Sequence, residues 1–408
     1  MRGLTRDGRL LFLTRCLRLF DYGLISVILV LYLVQIGLPT PRIGLLLTLT
    51  LVGDTAVSLW ITTSADRLGR RKMLILGSLL LGMAGLVFGL TRSYWLLLAA
   101  ATAGVISPSG NEVGPFVSVE QAILAQIVPG RDRTAVFAWY NLAGSVATAT
   151  GALAGGGAVS LLERLGWPAV ESFRAVIYGY AALGLILALV FLCLTRKVEP
   201  QPGRRSASGP TLLGLHKSKA VVFKLSSLFA LDAFGGGFVV QSIAAYWFHA
   251  RFGASPVTLG AIFFGANVLA GISALAAAAL ARRIGLIRTM VFTHIPSNIL
   301  LMLVPLMPNL GLAITVLLLR FSISQMDVPT RQSYTMAVVE PDERSAAAGI
   351  TGVARTAGAA ISPSLAGMLL AVPALLSAPF FFSGCVKIVY DALLYRSFRR
   401  LKPAEEAA

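Results

Sequence analysis

The chain has 408 residues, of which 56% are hydrophobic and 13% are charged, and its mean hydropathy is +0.78. An ordinary soluble domain carries roughly a quarter charged residues, so this composition excludes that class and indicates a polytopic membrane protein. The formal net charge of +17 does not indicate a nucleic-acid partner, because Lys and Arg collect in the short polar segments between apolar runs, where they report membrane orientation.

The apolar runs predict twelve membrane-spanning helices, because a helix needs about 20 apolar residues to cross the hydrocarbon core. A long polar segment rich in Pro, Gly, Ser and basic residues separates the sixth helix from the seventh and predicts a flexible linker. We therefore expect an N-terminal six-helix bundle (1–194), a cytoplasmic linker (195–222) and a C-terminal six-helix bundle (223–408). The twelve predicted helices are 10–37, 42–64, 73–91, 94–128, 134–161, 174–195, 223–249, 257–280, 287–306, 311–339, 345–371 and 379–396.

Basic residues are unequally divided between the two sides of the predicted helices. With the N-terminus in the cytoplasm, the cytoplasmic segments hold most Lys and Arg, and the opposite side holds only Arg42, Arg92, Arg164, Arg174 and Arg251. The positive-inside rule then places both termini in the cytoplasm. We expect a multi-pass protein of a bacterial-type inner membrane, in contact with the lipid bilayer.

The two halves contain an internal repeat. An offset of 211 aligns 132–156 with 343–367 and also pairs Glu120 with Arg331. A different offset, 216, pairs Gly44 with Gly260 and Arg67 with Arg283, so the first half holds about five extra residues near 105–111, in the segment SPSGNEVGPFVSVEQ (107–121). We expect these residues to interrupt helix 4 and to have no counterpart in helix 10. Two parallel six-helix repeats are a transporter architecture, with the solute site near the membrane midplane.

The loop between helices 2 and 3, TTSADRLGRRK (62–72), resembles the G-x-L-A-D-R-x-G-R-R/K signature of the major facilitator superfamily, although Thr62 and Ser64 replace its leading Gly and Leu. The resemblance extends over the whole chain. It implies an all-α integral membrane fold of twelve transmembrane helices in two pseudo-symmetric six-helix bundles, with helices 1, 4, 7 and 10 lining a central cavity. It also implies a conformational latch, whose candidate residues are Asp66, Arg67, Gly69, Arg70 and Arg71.

In helix 5, the spacing of Gly144, Gly151 and Gly155 resembles the glycine pattern of proton antiporters in this family, although Gly156 replaces their proline.

Charged side chains at membrane depth cost about 3 kcal/mol on insertion scales, so each suggests a role. Glu112 and Glu120 are the preferred proton carriers, because their i, i+8 spacing puts them on one helix face. The repeat suggests that Glu120 forms a breakable ion pair with Arg331 of the other half. Further proton-coupling candidates are Asp21, Asp232 and Asp327.

Two structural alternatives stay open for these charges. Asp327 and Arg331 are spaced i, i+4 and can neutralise each other within one helix. Asp21 can pair with Arg15 or Arg18, one or two turns earlier in its own helix.

Solute contacts are expected from polar and aromatic side chains on the cavity-lining helices. Guanidinium groups bind carboxylate or phosphate through two hydrogen bonds, and Arg355 has no acidic residue within one turn, which makes it the best candidate for an anion. Pairing of Arg355 with an acid on another helix is the alternative. His294 precedes Pro296 and is expected to be structural. The substrate-binding candidates are Asn111, Gln121, Arg331, Gln332, Tyr334, Arg355, Tyr246, Trp139 and Tyr140.

The sequence has no GxxxxGK[ST] motif, and its three Cys and three His are scattered, so neither ATP hydrolysis, a metal site nor an enzyme is expected. The predicted function is secondary active transport of a small organic solute by alternating access, driven by a proton gradient without a bound cofactor, in a monomer. Efflux is the first choice. Uptake or exchange of an organic or phosphate-like anion is the alternative, and lipid flipping is the third.

Overall fold

The computed structural model describes residues 4–110, 116–128, 133–199, 215–340 and 343–399, without the side chains of residues 66, 133–135 and 345. The regular secondary structure in these ranges is helical. The α-helices are α1 (Arg6–Gln35), α2 (Thr40–Leu68), α3 (Arg70–Leu90), α4 (Tyr94–Ala103), α5 (Phe116–Ile127), α6 (Arg133–Arg164), α7 (Ala169–Leu192), α8 (Lys219–Gly237), α9 (Gln241–Phe252), α10 (Pro256–Ile284), α11 (Leu286–Leu303), α12 (Leu310–Phe321), α13 (Asp327–Ala337), α14 (Arg344–Leu370) and α15 (Ala378–Phe398).

These helices account for the twelve predicted spans. Ten helical segments in the described ranges are long and apolar enough to cross a membrane, with α8 and α9 counted as one segment. The shorter pairs α4 with α5 and α12 with α13 supply predicted helices 4 and 10. The prediction of an all-α integral membrane fold is confirmed.

Three predicted helices are interrupted rather than continuous. Helix 4 ends at Ala103, and Val105 follows with a φ of 44°, in the left-handed region that residues with a Cβ rarely adopt. Helix 10 is also interrupted, at 322–326, although we expected the interruption in helix 4 alone. Helix 7 is interrupted at 238–240, directly after three consecutive glycines, and its repeat partner α1 is continuous.

The chain packs into two compact units. The first comprises Met1–Arg205 and Gln241–Gly265, and the second comprises Ser206–Val240 and Ala266–Ala408. These units differ from the predicted bundle boundaries in that 241–265 belongs to the first.

Within the first unit, α1 and α6 are in direct backbone contact. A Cβ atom at Gly151 would lie 1.9 Å from the carbonyl oxygen of Phe20, and one at Gly23 would lie 2.1 Å from that of Thr148. Small residues of this kind allow membrane helices to approach without intervening side chains. The contact holds the charged part of α1 against α6.

The second unit contains the equivalent pair, α8 and α14, which corresponds to α1 and α6 in the internal repeat. A Cβ atom at Gly358 would lie 2.2 Å from the carbonyl oxygen of Ala230. The two units therefore use the same kind of glycine-mediated packing.

Each described end of the predicted linker is held by a carboxylate within its own unit. Glu199 accepts hydrogen bonds from the backbone N–H groups of Arg70 (2.7 Å) and Arg71 (3.3 Å), at the start of α3. Glu343, directly before α14, accepts hydrogen bonds from the backbone N–H groups of 216–218, those of Lys217 and Ser218 both at 2.9 Å. A carboxylate is favoured at the N-terminus of a helix such as α3, because the free N–H groups there carry partial positive charge.

Candidate functional site

The first unit contains a buried ion pair between Arg18 on α1 and Glu120 on α5. Arg18 donates from Nη1 to Oε1 of Glu120 at 2.9 Å and from Nη2 to Oε2 at 2.7 Å, and both side chains are fully buried. Thr14 donates its hydroxyl to Oε1 at 2.9 Å, and Tyr140 on α6 donates its hydroxyl to Oε2. Three helices therefore meet at one carboxylate, and both of its oxygens are hydrogen-bonded.

Neighbouring aromatic and cationic groups fix the geometry of this ion pair. The guanidinium carbon of Arg18 lies 4.6 Å from the ring centroid of Phe116, which is one turn before Glu120 on α5. Arg15 lies over the ring of Tyr140 at 4.2 Å and donates from Nε to its carbonyl oxygen at 2.9 Å. Together these contacts orient Arg18 and Tyr140, two of the three residues that donate hydrogen bonds to Glu120.

Glu120 and Arg331 each have partners within their own unit. Glu120 is bound by Arg18 within the first unit, and Arg331 is bound by aspartates within the second, in place of the predicted Glu120–Arg331 pair. The alternative in which Arg15 or Arg18 neutralises Asp21 is also wrong, since Oδ1 of Asp21 has no hydrogen-bond partner in the described part of the chain. The repeat alignment matches equivalent positions, and it carries no information on which side chains touch.

The second unit contains a larger charged network centred on Asp232 of α8. Asp232 accepts hydrogen bonds from Arg331 on α13 at 3.0 Å and from Lys387 on α15 at 2.8 Å. Arg331 also pairs with Asp327, one turn earlier in its own helix, at 3.1 Å. The predicted ion pair between Asp327 and Arg331 is therefore observed, and Arg331 forms a second ion pair with Asp232.

His294 connects this network to a further carboxylate on α15. Its Nδ1 lies 2.9 Å from Oδ1 of Asp391, and its Nε2 lies 3.8 Å from Oδ1 of Asp232. Asn298, one turn later on α11, donates to Oδ2 of Asp391 at 3.2 Å. Sequence reasoning missed Asp391 because it stands seven residues before the end of α15, next to a basic cytoplasmic segment.

Arg355 on α14 is half-buried near the same network. Its Nε has no hydrogen-bond acceptor among the residues that the structure describes. Asp232, Asp327 and Arg331 all lie within electrostatic range of its guanidinium. Arg320, at the end of α12, likewise has an Nε without an acceptor in those ranges. A carboxylate or phosphate oxygen bound beside Arg355 would supply the acceptor that its Nε lacks in those ranges.

The remaining described candidates for solute contact differ in their burial. Tyr334 is fully buried in a hydrophobic core cluster, where its ring packs edge-on against Phe398 with centroids 6.0 Å apart. Gln332 is exposed, and Trp139 is 55% exposed, on the outside of α6. Gln121 and Tyr246 are half-buried. Asn111 and Glu112 lie outside the described residues.

The predicted latch loop forms a tight turn between α2 and α3, where Gly69 has a φ of 106° that favours glycine. The side chain of Arg70 donates to Oε1 of Gln126 on α5 at 2.9 Å, and that of Arg71 donates to the carbonyl oxygen of Leu194 at 3.2 Å. These contacts, like those of Glu199, lie within the first unit. Arg67 is exposed, and the side chain of Asp66 is outside the described part, so the latch role stays a prediction.

A multi-pass helical chain with hydrogen-bonded charges buried between its helices has the features of a membrane transporter. Residues 11–363 match the sequence profile of the Major Facilitator Superfamily, and the chain belongs to this family. It is therefore a secondary transporter of a small-molecule solute rather than an enzyme.

Comparisons with known proteins agree with this assignment. The chain is 32% identical, over 96% of its length, to an uncharacterized membrane protein of Saccharomyces cerevisiae, and the match covers 93% of that protein. It is 30% identical to a Na(+), Li(+), K(+)/H(+) antiporter of Planococcus maritimus over 28% of this chain and 26% of the antiporter. A bacterial homolog of the human lysosomal transporter Spinster has the same fold, with a TM-score of 0.73 and 18% identity over 97% of this chain and 96% of the homolog.

Proposed function

We propose that the protein is a proton-coupled transporter that exports a small organic solute by alternating access, with Glu120 as the proton carrier. The observation that supports this most strongly is the fully buried Glu120–Arg18 pair on α5 and α1. The short match to a cation/H(+) antiporter favours exchange of protons for a solute, and therefore export.

Protonation of Glu120 changes the balance of this ion pair. While both groups are charged, the carboxylate and the guanidinium stabilise each other in a site shielded from water. A proton on Glu120 removes the negative charge, and Arg18 is left as a buried cation without a counter-charge, which is costly. The free energy of proton binding is thereby available to move α1 relative to α5.

The two hydroxyl groups beside Glu120 suit both protonation states. Thr14 and Tyr140 donate to the carboxylate, and a hydroxyl oxygen can also accept a hydrogen bond from a protonated carboxyl. Glu120 therefore keeps hydrogen-bond partners after it takes up a proton. Loss of the proton restores the ion pair with Arg18 and completes the cycle.

Transport of an organic or phosphate-like anion is the second candidate function, and Arg355 favours it. Its Nε has no acceptor in the described ranges, and a carboxylate or phosphate oxygen would supply one. In this case the solute would bind near the Asp232–Arg331 pair of the second unit, and its charge would compete with Asp232 for Arg331.

The setting of transport is also part of the proposal. The excess of basic residues on one side supports cytoplasmic termini. The protein is proposed to work as a monomer in a bacterial-type inner membrane, driven by the proton gradient without a bound cofactor.

Transport by proteoliposomes with an imposed pH gradient tests the proposal. Ethidium serves as the organic-cation probe, and succinate and inorganic phosphate serve as anion probes. We expect Glu120→Gln to abolish pH-driven flux, because the amide cannot carry the proton. The matched control is Glu171→Gln on α7, whose carboxylate is half-buried and pairs with Arg174.

Each result has a defined meaning. Flux at the wild-type rate in Glu120→Gln, or flux that ignores the pH gradient, would contradict proton coupling through Glu120. If the wild type transports succinate or phosphate but not ethidium, and Arg355→Ala loses this flux, the function is anion transport rather than export of an organic solute.

A further inference from the structure

The surface of the second unit carries a contact between aromatic side chains of two neighbouring helices. The rings of Phe292 on α11 and Tyr395 on α15 have their centroids 5.7 Å apart. Phe292 is exposed and Tyr395 is half-buried, so the pair lies at the surface rather than in the core. Further along the same two helices, Met302 contacts Gly384, which shows that α11 and α15 run antiparallel.

An arginine follows each of these rings toward the same end of the unit. Arg288 stands four residues before Phe292 on α11, and Arg399 stands four residues after Tyr395, directly after α15. In antiparallel helices both steps lead one turn in the same direction. Both arginines are exposed, and the guanidinium carbon of Arg399 lies 5.9 Å from the ring centroid of Tyr395. Two guanidinium groups therefore lie at one level, a turn beyond the aromatic pair.

Other basic side chains surround this end of the unit. Lys224 on α8 has its Nζ 5.6 Å from the ring centroid of Phe398, and Arg396 is exposed next to Tyr395. Phe398 packs with Ile287 in one hydrophobic core cluster, so the starts of α8 and α11 and the end of α15 meet there. The positive charges of three helices are thus brought together.

The carboxyl groups near these cations have other partners. Asp232 and Asp391 are the acidic residues of α8, α11 and α15, and both are buried in the charged network of this unit. Beyond α13, Glu340 lies 4.0 Å from Lys217, and Glu343 binds the end of the linker. In the described ranges neither of the two exposed arginines beside the aromatic pair has a carboxylate partner.

The same face is apolar on the other side of the aromatic pair. Phe292, Pro296 and Ile299 are exposed on α11 at i, i+4, i+7 spacing, and therefore form one stripe. On α15, Val389 and Leu393 are also exposed. A molecule lying along this face would meet positive charge at one end, then two rings, then an apolar surface.

We propose that the two arginines and the aromatic pair bind the headgroup of an anionic phospholipid. Guanidinium groups bind phosphate oxygens through charge-assisted hydrogen bonds, often two at once. Aromatic rings are favoured at the level of lipid headgroups, and the apolar stripe suits an acyl chain. A free phosphate ion would leave the apolar part of the face unused. The observed order of charge, ring and apolar surface therefore favours a lipid.

This binding differs from the general attraction of basic helix ends to an anionic membrane surface. That attraction depends on the number of charges, whereas the α11–α15 face offers two guanidinium groups at fixed positions beside a ring contact. The proposal requires neither Glu120 nor Arg355 and stands independently of the proposed function.

Thermal unfolding of the purified full-length chain in dodecyl maltoside micelles measures the binding. Dioleoyl phosphatidylglycerol is the anionic lipid probe, and dioleoyl phosphatidylcholine is the zwitterionic control. Glycerol 3-phosphate and inorganic phosphate test the phosphate group without acyl chains. We expect the unfolding midpoint to rise with the mole fraction of phosphatidylglycerol, and to stay unchanged with the other three compounds.

Arg288→Gln and Arg399→Gln are each expected to raise the mole fraction of phosphatidylglycerol needed for half of the shift about fivefold, as for one cation lost near an anionic headgroup. The double variant should raise it roughly twenty- to thirtyfold. The replaced side chains are exposed, so these variants are expected to fold. Arg9→Gln, which removes an exposed guanidinium from α1 of the first unit, is the matched control and should behave like the wild type.

Three results would overturn the proposal. The first is a double variant that responds to phosphatidylglycerol as the wild type does, or no more weakly than Arg9→Gln. The second is an equal rise of the midpoint with inorganic phosphate, which would assign the arginines to a free anion. The third is a dimer in lipid-free micelles that Phe292→Ala dissociates, which would assign the face to a second copy of the chain.

Discussion

Replacement of Gly151 by alanine is expected to force α1 and α6 apart. The new Cβ would lie 1.9 Å from the carbonyl oxygen of Phe20 and 2.7 Å from its carbonyl carbon. The atoms it meets belong to the backbone, so no side-chain rotation can relieve the clash. The helices must separate by roughly 1–2 Å to restore ordinary contact distances.

The magnitude of this effect follows from two opposing terms. Overpacking costs about 1–3 kcal/mol, and a rigid backbone neighbour places this site near the upper end. Replacing a helical glycine by alanine returns about 0.5–1 kcal/mol. We therefore expect Gly151→Ala to lower the free energy of unfolding by about 2 kcal/mol. Arg18 lies two residues before Phe20, so its ion pair with Glu120 is expected to weaken as well.

Gly157→Ala is the matched control on the same helix. A Cβ atom at Gly157 would have no neighbour within 4 Å, so this variant is expected to gain about 0.5–1 kcal/mol. Unfolding in mixed detergent micelles measures both variants against the wild type, and proteoliposome flux reports the ion pair. The packing argument is refuted if Gly151→Ala is as stable as Gly157→Ala.

Three further predictions concern charged contacts. Arg18→Met and Glu120→Gln should each cost about 3–5 kcal/mol in unfolding free energy, and the double variant should lose less than their sum; additive losses would mean that the two side chains do not interact. Burial raises the pKa of Glu343, but hydrogen bonds from three backbone N–H groups outweigh it and lower the pKa to about 2, from an ordinary value of 4.5. The stabilisation of the fold by ionised Glu343 is then complete above about pH 4.5 and is lost as the pH falls toward 2. Unfolding midpoints measured across this range should show that loss in the wild type and in Glu340→Gln, but not in Glu343→Gln. Glu199→Gln should speed amide hydrogen exchange in the first turn of α3, and unchanged exchange would show that the cap contributes nothing.

The helices could be predicted from the sequence more completely than their interruptions. Apolar runs of sufficient length defined the twelve spans, and the Pro and Gly residues of 107–115 marked the break in helix 4. The break in helix 10 falls in SISQM (322–326), which contains neither residue type. The backbone N–H group of Gln325, which lies in this break, donates to the hydroxyl of Ser273 on α10 at 3.2 Å. A partner more than 50 residues away leaves no local signal in the sequence.

The buried charges were also easier to predict than their partners. Glu120, Asp232 and Arg331 were recognised because an ionisable group inside an apolar run is rare. Arg18 was read as a neighbour of Asp21 in the same helix, whereas helix packing brings it to Glu120, 102 residues away. Tyr140 was expected to contact solute, and it is instead a hydrogen-bond donor to Glu120.

Alanine scanning of Arg70 and Arg71 would not detect the contact of Glu199 with the start of α3. The donors are backbone N–H groups, which any substitution other than proline retains. Proline is the exception, since it has no N–H group. Position 70 is the first residue of α3, where proline is well tolerated, and the preceding Gly69 has a ψ of 125° that suits a following proline. Arg70→Pro would delete the 2.7 Å bond together with the arginine side chain, and Arg70→Ala would delete the side chain alone. The difference between these two variants isolates a main-chain interaction that side-chain replacement cannot reach.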